Sequence, residues 1–288
     1  MSKKIDITKL PEDEAEKIVK RRDRQRQYYR KKHFKLTNDN YFSPEAEKRY
    51  MGSSQFKSFM KCEAAALAEI NGEYERKKTT ALLIGSYVDA HFDNTLDIFK
   101  AQNPELFKRD GTLKAEFIRA EEIIARIERD EMFMRYMSGG KQTIKTGEIA
   151  GVPFKIKIDS LHDYTAIVDL KIMKDFEPIY KPGEGKLTFI EFWGYDTQGA
   201  IYQKVEGNHL PFFIAGATKE DEPDIGIFQI PQEYLDVALD KVMELAPRYQ
   251  AIKNGEIEPV RCEHCDYCKR TKILTKIISL EDLKDEQC

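Results

Sequence analysis

The sequence predicts one mixed α/β domain with a helical N-terminal part. Two observations lead to this prediction. Segments in which apolar residues recur at helical spacing fill the first half of the chain after a polar beginning. The second half holds runs in which apolar and polar residues alternate, as in half-buried strands, and further helical segments separate these runs. Helices, then strands and helices interleaved, are the order expected for a mixed α/β domain.

Three helical segments precede the strands. Their apolar stripes run from about residue 53 to 70, from about 79 to 92 and from 113 to 137. The first ends at Asn71-Gly72 and the third at Gly139-Gly140, because glycine readily adopts the conformation that closes a helix. We therefore expect a helical part that leads into the sheet.

A β-hairpin is predicted next. Apolar residues alternate with lysines over 151–159 and end at Asp159, and the alternation resumes over 166–172, which contains Asp169 and Lys171. The intervening residues are compatible with a turn. The same criteria then predict a helix over 189–205, strands over 211–217 and 225–230, and a helix from 231 to 253.

Composition indicates a globular protein with an ordinary core. The chain has 288 residues, of which 41% are hydrophobic, and its formal net charge is −3. No apolar run approaches the ~20 residues of a membrane-spanning helix, and the N-terminus lacks the hydrophobic region of a signal peptide. We expect a cytoplasmic protein that does not enter membranes. Because the net charge is small, affinity for nucleic acid must come from local basic patches.

The predicted domain covers residues 51–275 and includes a cysteine cluster at 262–268. A polar tail, 276–288, follows it, and a basic polar arm, 1–50, precedes it. Within the arm, residues 20–35 hold nine basic residues and one acidic residue, with tyrosines available for stacking. The run fits either contact with DNA phosphates or an ordinary solvated surface. The candidate DNA-binding residues are Arg21, Arg22, Arg24, Lys31 and Lys32.

The hairpin brings charged residues together at one sheet edge. Asp159 and Asp169 fall on adjacent strands, with Lys171 beside them. Two neighbouring carboxylates repel each other unless a cation lies between them, and such hard oxygen ligands suit Mg²⁺ or Mn²⁺. The Asp-x-Lys tripeptide alone is weak evidence, since residues 282–284 repeat it in the polar tail.

Three cysteines follow the spacing C-x2-C-x2-C near the end of the chain. This triplet supplies three thiolates to [4Fe-4S] clusters, whose fourth ligand comes from a distant position. Zinc bound by four thiolates, or with His264 in place of one, is the alternative, and a metal-free thiol cluster is a third interpretation. Cys288 is expected to be unliganded. The predicted ligand set is Cys62, Cys262, Cys265 and Cys268.

These motifs together resemble the PD-(D/E)XK nuclease superfamily, in particular the RecB-like and RecE-like phage exonucleases (exodeoxyribonuclease VIII-like). The resemblance covers most of residues 53–275. Members carry a Gly-x-x-x-His helix before the sheet, an Asp that ends one strand, an Asp-x-Lys on the next and a Gln-x-x-x-Tyr helix after it. Many members have histidine where this chain has an aspartate, and His91 is a substitute candidate. The matching residues are Gly85 with Asp89, Asp159, Asp169 with Lys171, and Gln198 with Tyr202.

The resemblance implies a central mixed sheet with helices on both sides, and a Mg²⁺- or Mn²⁺-dependent DNA exonuclease that hydrolyses phosphodiester bonds from duplex ends. It implies that Lys171 orients the nucleophile or stabilises developing charge. Gln198 and Tyr202 would position the strand that is cut. The implied metal ligands are Asp89, Asp159, Asp169 and the carbonyl oxygen of Leu170.

The resemblance also implies partners and a biological setting. RecE-like enzymes act in phage or prophage DNA recombination with a RecT-like single-strand annealing protein, and a homo-oligomer is possible. RecB-like nucleases with iron-sulfur clusters have one cysteine before the core and three after it, as this chain does. Two alternatives stay open: a single-strand DNA nuclease similar to CRISPR adaptation nucleases, and a non-catalytic DNA-binding module on a nuclease fold.

Overall fold

The computed structural model describes residues 16–20, 34–274 and 277. The chain divides into two compact units, Met1–Tyr41 and Phe42–Cys288. In the first unit, residues 16–20 are helical and Asn38–Asn40 form a short 3-10 helix. The basic residues predicted to contact DNA, which are Arg21, Arg22, Arg24, Lys31 and Lys32, lie outside the described residues.

The second unit is built on a five-stranded sheet with the strand order β1-β2-β3-β6-β7. Strands β3 and β6 run parallel, and the other neighbouring pairs are antiparallel, so the sheet is mixed as predicted. Strands β4 and β5 form a separate hairpin. The strands are β1 (Gly140–Ile149), β2 (Val152–His162), β3 (Ala166–Met173), β4 (Ile179–Lys181), β5 (Gly185–Leu187), β6 (Phe212–Thr218) and β7 (Ile225–Gln229).

Helices cover both faces of the sheet, which confirms the predicted fold class. None of the described helices is long and apolar enough to cross a membrane. A short 3-10 helix, Pro104–Leu106, lies among them. The α-helices are α1 (Pro44–Arg49), α2 (Ser53–Lys61), α3 (Glu63–Asn71), α4 (Thr80–Phe92), α5 (Leu96–Gln102), α6 (Ala115–Glu128), α7 (Glu131–Tyr136), α8 (Phe189–Trp193), α9 (Tyr195–Glu206), α10 (Gln232–Lys253) and α11 (Asp266–Arg270).

Each face of the sheet has its own hydrophobic core. On one face α2, α9 and α10 contribute buried residues such as Phe56, Ile201 and Val242. On the other face α4 and α6 contribute residues such as Val88 and Ile124. Burial of apolar area against the sheet is the main favourable contribution to folding, so the helices stabilise the fold by packing on it.

Three of the predicted helices are interrupted in the structure. The first is divided at Cys62, which is extended (φ −165°), and the third is divided before α7, where the Asp130 side chain accepts a hydrogen bond from the N–H of Phe133. Gly194, with φ 62°, divides α8 from α9. Apolar periodicity continues across each break because both helices pack on the same core, so periodicity alone does not locate the break.

Strands β2 and β3 separate from each other at Asp159. The last paired residues of their ladder are Ser160 and Val168. One residue further along, the Asp159 carboxylate accepts a hydrogen bond from the N–H of Leu170 at 2.9 Å, in place of a backbone partner. The acidic side chain therefore occupies the point where the two strands diverge.

The backbone of Met51 fills the edge of β2 beyond this point. Its N–H donates to the carbonyl oxygen of Pro153 at 2.8 Å, and its carbonyl oxygen accepts from the N–H of Lys155 at 3.0 Å. Met51 itself is fully buried. The segment between α1 and α2 is therefore fixed to the same strand that carries Asp159, which sets the position of α2 beside the diverging strands.

Lys155 is a buried cation on β2, although the alternating pattern predicts a half-buried strand with a polar face. Only 1% of its side chain is exposed, because α1 covers it. Its ammonium donates to the Glu47 carboxylate at 2.7 Å, and that carboxylate also accepts from the amide of Gln55 at 2.8 Å. Burial lowers the pKa of Lys155. Leaving a buried ammonium without its partner would cost folding free energy, so the ion pair with Glu47 stabilises the packing of α1 on the sheet.

Replacing Glu47 with alanine is expected to destabilise the protein by about 3 kcal/mol, the low end of the range for breaking a buried ion pair, since Glu47 keeps some contact with water. Urea unfolding followed by circular dichroism measures the change. Glu45→Ala is the matched control, because Glu45 forms an exposed pair with Arg49 and its loss should change stability by less than about 1 kcal/mol. Equal effects of the two substitutions would contradict this account.

Candidate active site

Asp169 and Lys171 form the centre of the site on β3. Asp169 is 2% exposed, and the Lys171 ammonium makes an ion pair with one of its carboxylate oxygens. The same ammonium donates to the carbonyl oxygen of Leu170 at 3.1 Å. Side chains two residues apart on a strand share a face, which is why this tripeptide brings an acid and a cation together.

Gln198 orients the carboxylate from the facing helix α9. Its amide nitrogen donates to the other oxygen of Asp169 at 2.7 Å, and both residues are buried. The helix lies close to the sheet at this level, because a Cβ added at Gly199 would stand 2.7 Å from Cδ1 of Phe212. Small size at Gly199 therefore lets Gln198 reach Asp169, and the two contacts together fix both oxygens of this acid.

Tyr202, one helical turn after Gln198, connects α9 to β2. Its hydroxyl donates to the carbonyl oxygen of Lys157 at 3.0 Å, and its ring meets Phe212 edge to face with 5.9 Å between the centroids. The residue is 7% exposed. These contacts give Tyr202 a role in positioning α9 over the sheet, and its predicted contact with the DNA strand stays a prediction.

Asp89 reaches the other acids from α4. Partial desolvation beside them and repulsion from Asp159 raise the pKa of Asp89. His91 faces a different group, since its Nε2 lies 2.8 Å from a carboxylate oxygen of Glu128. The structure thus places Asp89 rather than His91 at the acidic cluster. Apart from its chain neighbours and the backbone of its own helix, no described atom lies within 4 Å of a Cβ built at Gly85, so this glycine does not mark a close approach of another segment.

The acids perturb one another strongly. Burial and the negative charge of Asp169 raise the pKa of Asp159 to about 7. Burial alone would lower the pKa of Lys171, but attraction to Asp169 and Asp159 outweighs it and raises that pKa above its usual range. When ionised, three carboxylates beside one ammonium carry excess negative charge, which a bound cation would neutralise.

The oxygen donors fit a divalent metal ion. The Lys171 ammonium contacts the Asp169 carboxylate and the Leu170 carbonyl, and it shows that these oxygens already attract positive charge. Carboxylate and carbonyl oxygens are the donors that Mg²⁺ and Mn²⁺ prefer. Within the described residues only the four cysteines form a group of three or more ligand side chains that could hold a metal ion as they stand, and at the carboxylates Lys171 supplies the positive charge. Metal ligands here would be Asp89, Asp159, Asp169 and the Leu170 carbonyl.

The four predicted cysteines form a second centre. Their sulfur atoms all lie within 4.8 Å of one another, and those of Cys62 and Cys268 are 3.6 Å apart. Backbone N–H groups of Cys265 and Cys268 point at the sulfurs of the preceding cysteines of the motif, at 3.3 and 3.5 Å. Although burial opposes it, hydrogen bonds from the backbone N–H groups of His264 and Cys265 lower the pKa of Cys262 to about 6. The cluster can therefore hold a metal ion.

Comparison with known proteins identifies the family of the chain. The model of the family described as PDDEXK-like domain of unknown function (DUF3799) matches residues 52–271. The chain belongs to this family. The crystal structure of a protein from Eubacterium rectale named "Putative exonuclease" matches with a TM-score of 0.83 and 51% sequence identity, over 86% of this chain and 98% of that one. The expected PD-(D/E)XK nuclease fold is thereby confirmed.

Two further comparisons add no functional information. The crystal structure of SSO0001 shares 9% sequence identity over 66% of this chain and 85% of that chain, and its TM-score of 0.25 is too low to support an argument. A comparison with curated proteins gives no match.

The PDDEXK-like domain also brings residues to the site that the motifs do not include. Asp93 lies one helical turn after Asp89, and burial raises the pKa of its carboxyl group, although the nearby Gln142 amide opposes this shift. The Gln142 amide also reaches the Asp159 carboxylate at 3.4 Å, from a backbone with φ 48°. The four-residue spacing from Asp89 is a signal that predicts Asp93, whereas nothing in the local sequence predicts the conformation of Gln142.

Lys57 is a second cation near Lys171. Its ammonium donates to the carbonyl oxygen of Trp193 at 3.2 Å. Burial and repulsion from Lys171 lower the pKa of Lys57 to about 8. Tyr195 lies between the two lysines, with its ring centroid 5.4 Å from the Lys57 ammonium and 5.7 Å from that of Lys171. No motif predicts Lys57, because its position depends on how α2 packs against the α8–α9 junction.

Metal binding by this site is expected to depend on pH. With a pKa of about 7, Asp159 in the metal-free protein carries its proton below pH 7 and must lose it to bind a cation. Apparent affinity for Mn²⁺ should therefore rise at least tenfold per pH unit below this pKa and less steeply above it, since Asp89 also has a raised pKa. Calorimetric titrations in two buffers of different ionisation enthalpy should show release of about one proton or more at pH 6, since Asp89 also has a raised pKa, and release of fewer protons at pH 8.5. Affinity that does not vary with pH would contradict the raised pKa.

Proposed function

We propose that this protein is a Mg²⁺-dependent DNA exonuclease that hydrolyses phosphodiester bonds from duplex ends. The observation that supports the proposal most is the set of contacts around Asp169, whose two carboxylate oxygens bind Gln198 and Lys171. A buried acid held by these two groups, with Asp159 on the adjacent strand, is an arrangement for binding metal and phosphate. Membership of the PDDEXK-like family and the name of the Eubacterium rectale protein support the same activity.

Each residue has a defined task in this proposal. A divalent cation held by Asp89, Asp159, Asp169 and the Leu170 carbonyl would activate water and neutralise negative charge on the phosphate. Gln198 keeps Asp169 in the orientation that leaves its second oxygen directed toward Lys171. Lys171, whose raised pKa keeps it protonated, supplies positive charge to the phosphate as negative charge develops.

The resemblance to RecE-like enzymes supports the choice of duplex ends, the role in phage or prophage recombination and a RecT-like partner. A non-catalytic DNA-binding module is the weaker alternative. Burial and the nearby charge of Asp169 raise the pKa of Asp159, so ionised Asp159 destabilises the fold. A module that only binds DNA has no chemical reason to keep this destabilising pair of acids together. A nuclease specific for single strands remains the second candidate within enzymes.

A comparison of DNA substrates tests the proposal. End-labelled linear duplex, nicked circular duplex and single-stranded DNA are incubated with the protein in Mg²⁺ or in EDTA. The proposal expects mononucleotides or short products from linear duplex, in Mg²⁺ only. Digestion of single strands alone would favour the second enzyme candidate, and binding without hydrolysis would favour the non-catalytic module.

We further propose that the cysteine cluster holds zinc. The sequence favours a [4Fe-4S] cluster, but the sulfur separations support a single ion. Four thiolates about 2.3 Å from one zinc ion lie about 3.8 Å apart at tetrahedral angles, close to the 3.6 Å between Cys62 and Cys268. In a [4Fe-4S] cluster each thiolate binds a different iron atom, so the four sulfurs must be spread more widely.

A further inference from the structure

Trp193, the single tryptophan of the chain, contacts Lys57, a residue near Asp169 and Lys171 of the proposed active site. It is the last residue of α8 and is 46% exposed. Its ring packs edge to face on Phe192, with 4.9 Å between the centroids, which fixes the indole while leaving much of it in water. Large aromatic side chains usually bury most of their area, so an exposed one beside a polar site is a candidate binding surface.

Lys57 links Trp193 to the catalytic residues. The ammonium of Lys57 donates to the carbonyl oxygen of Trp193 at 3.2 Å, and the Tyr195 ring separates it from Lys171. Its aliphatic chain passes over Gly194, where a Cβ would stand 3.1 Å from Cδ of the lysine. Gly194 also has φ 62°, a backbone conformation that glycine adopts without strain. Glycine at the α8–α9 junction therefore permits both this backbone turn and the close contact with the Lys57 side chain.

Positive charge continues along α2 from this point. Lys61 follows Lys57 by four residues and interacts with it electrostatically. Like charges at this spacing destabilise a helix, and the carboxylates of Asp169 and Asp196 offset part of this repulsion at Lys57. Lys171 and Lys61 both lie near Lys57, whose ammonium contacts Trp193. This group of cations complements the phosphates of a nucleic acid strand.

We propose that Trp193 and Lys57 form a nucleotide subsite for the unpaired DNA strand next to the cleavage position. The indole stacks on a base, and the ammonium holds a neighbouring phosphate. A base inside a duplex must leave the stack before a side chain can stack on it, so a subsite for unpaired nucleotides recognises single-stranded DNA at a frayed or partly digested end. This inference rests on the proposed nuclease function and specifies how that site holds its substrate.

The emission of Trp193 provides a direct test, because no other tryptophan contributes. The full-length Asp169→Asn variant in Mg²⁺ binds DNA without cutting it in this scheme, and is titrated with oligothymidylate or with a blunt duplex of equal length. We expect saturable quenching by the single strand and much weaker quenching by the duplex. Fluorescence anisotropy of labelled DNA measures binding independently. Bound single strand that leaves the tryptophan emission unchanged would overturn the subsite.

Substitutions separate the stacking contact from the phosphate contact. Trp193→Ala should weaken single-strand binding roughly 5- to 150-fold, the range for one base stacked on an aromatic ring, and Trp193→Phe should restore most of it. Tyr234→Ala, which removes another half-exposed aromatic side chain, from α10, is the control and should leave affinity unchanged. Wild-type affinity in Trp193→Ala would overturn the proposal.

The salt dependence of DNA binding tests the phosphate contact of Lys57 separately from the stacking contact. Loss of one phosphate contact to a single strand lowers the slope of log K against log salt concentration by about 0.7, so Lys57→Gln should show this decrease and Lys57→Arg should not. An unchanged slope in Lys57→Gln would remove the phosphate contact from the proposal. If the wild-type protein neither binds nor hydrolyses DNA, the nuclease function fails as well. If it hydrolyses DNA while Trp193→Ala binds normally, only the subsite fails.

Discussion

Replacing Asp169 with asparagine is expected to abolish Mg²⁺-dependent hydrolysis of DNA while leaving the fold intact. The substitution keeps the size of the side chain and the hydrogen bond from Gln198, but it removes the charge that Lys171 and a metal ion share. Loss of several kcal/mol of charge stabilisation corresponds to a decrease in rate of about 10³-fold or more. Release of labelled nucleotides from linear duplex DNA measures the rate.

The chain provides a matched control for this experiment. Residues 282–284 repeat the Asp-x-Lys tripeptide in the polar tail, so Asp282→Asn makes the same chemical change outside the predicted domain. Activity in Asp282→Asn should equal that of the wild type. Circular dichroism and thermal unfolding check that Asp169→Asn is folded. Hydrolysis by Asp169→Asn within tenfold of the wild-type rate would show that this carboxylate does not hold the metal.

The ordered motifs could be predicted from the sequence because local rules determine them. Alternation places Asp169 and Lys171 on one face of a strand, and helical spacing places Gln198 and Tyr202 one turn apart. The structure shows in addition which groups the side chains on these faces contact. It shows Gln198 bound to Asp169, but Tyr202 bound to the backbone of β2.

Strand β1 shows why part of the fold could not be predicted. It lies at the edge of the sheet, and most of its residues are partly exposed polar side chains, so it lacks the alternation of a half-buried strand. Lys155 shows the converse case. Its position in an alternating strand predicts a polar face, and only the packing of α1 reveals that it is buried against Glu47.

The site residues without a motif depend on tertiary contacts. Lys57 comes near Lys171 because α2 packs against the α8–α9 junction, and Gln142 reaches Asp159 from a backbone with positive φ. Neither relation leaves a periodic signal in the sequence. Residues that belong to a motif are thus easier to predict than residues that reach the site only through tertiary packing.

Replacing Cys268 with serine is expected to release the metal from the cysteine cluster and to destabilise the protein strongly. Cys268 is fully buried, and its sulfur lies 3.6 Å from that of Cys62, 206 residues earlier in the chain. Structural zinc sites contribute about 10–16 kcal/mol of binding free energy, which couples directly to folding. Loss of even a third of this would lower the melting temperature by roughly 7–20 °C, at about 2–4 °C per kcal/mol.

Elemental analysis and absorbance spectra identify the metal, and thermal unfolding measures the loss of stability. The wild-type protein should be colourless with one zinc ion per chain, and Cys268→Ser should have lost it. Cys288→Ser is the matched control, because this cysteine lies outside the described residues and outside the predicted ligand set, and metal content should not change. A brown protein that contains iron would overturn zinc and support the [4Fe-4S] cluster.

The cysteine cluster is also linked to the proposed active site through helix α2. Glu63, which follows Cys62, binds Arg248 of α10 through two hydrogen bonds at 2.7 and 2.8 Å, and it accepts the N–H of Val260 at 2.8 Å. Cys62 directly follows α2, the helix that carries Lys57. Release of the metal should therefore loosen α2 before it disturbs the buried acids. The test uses Cys268→Ser at a temperature where this variant is still folded. We expect its affinity for DNA to fall more than the rate at which it hydrolyses bound DNA. A loss confined to the hydrolysis rate would contradict this connection.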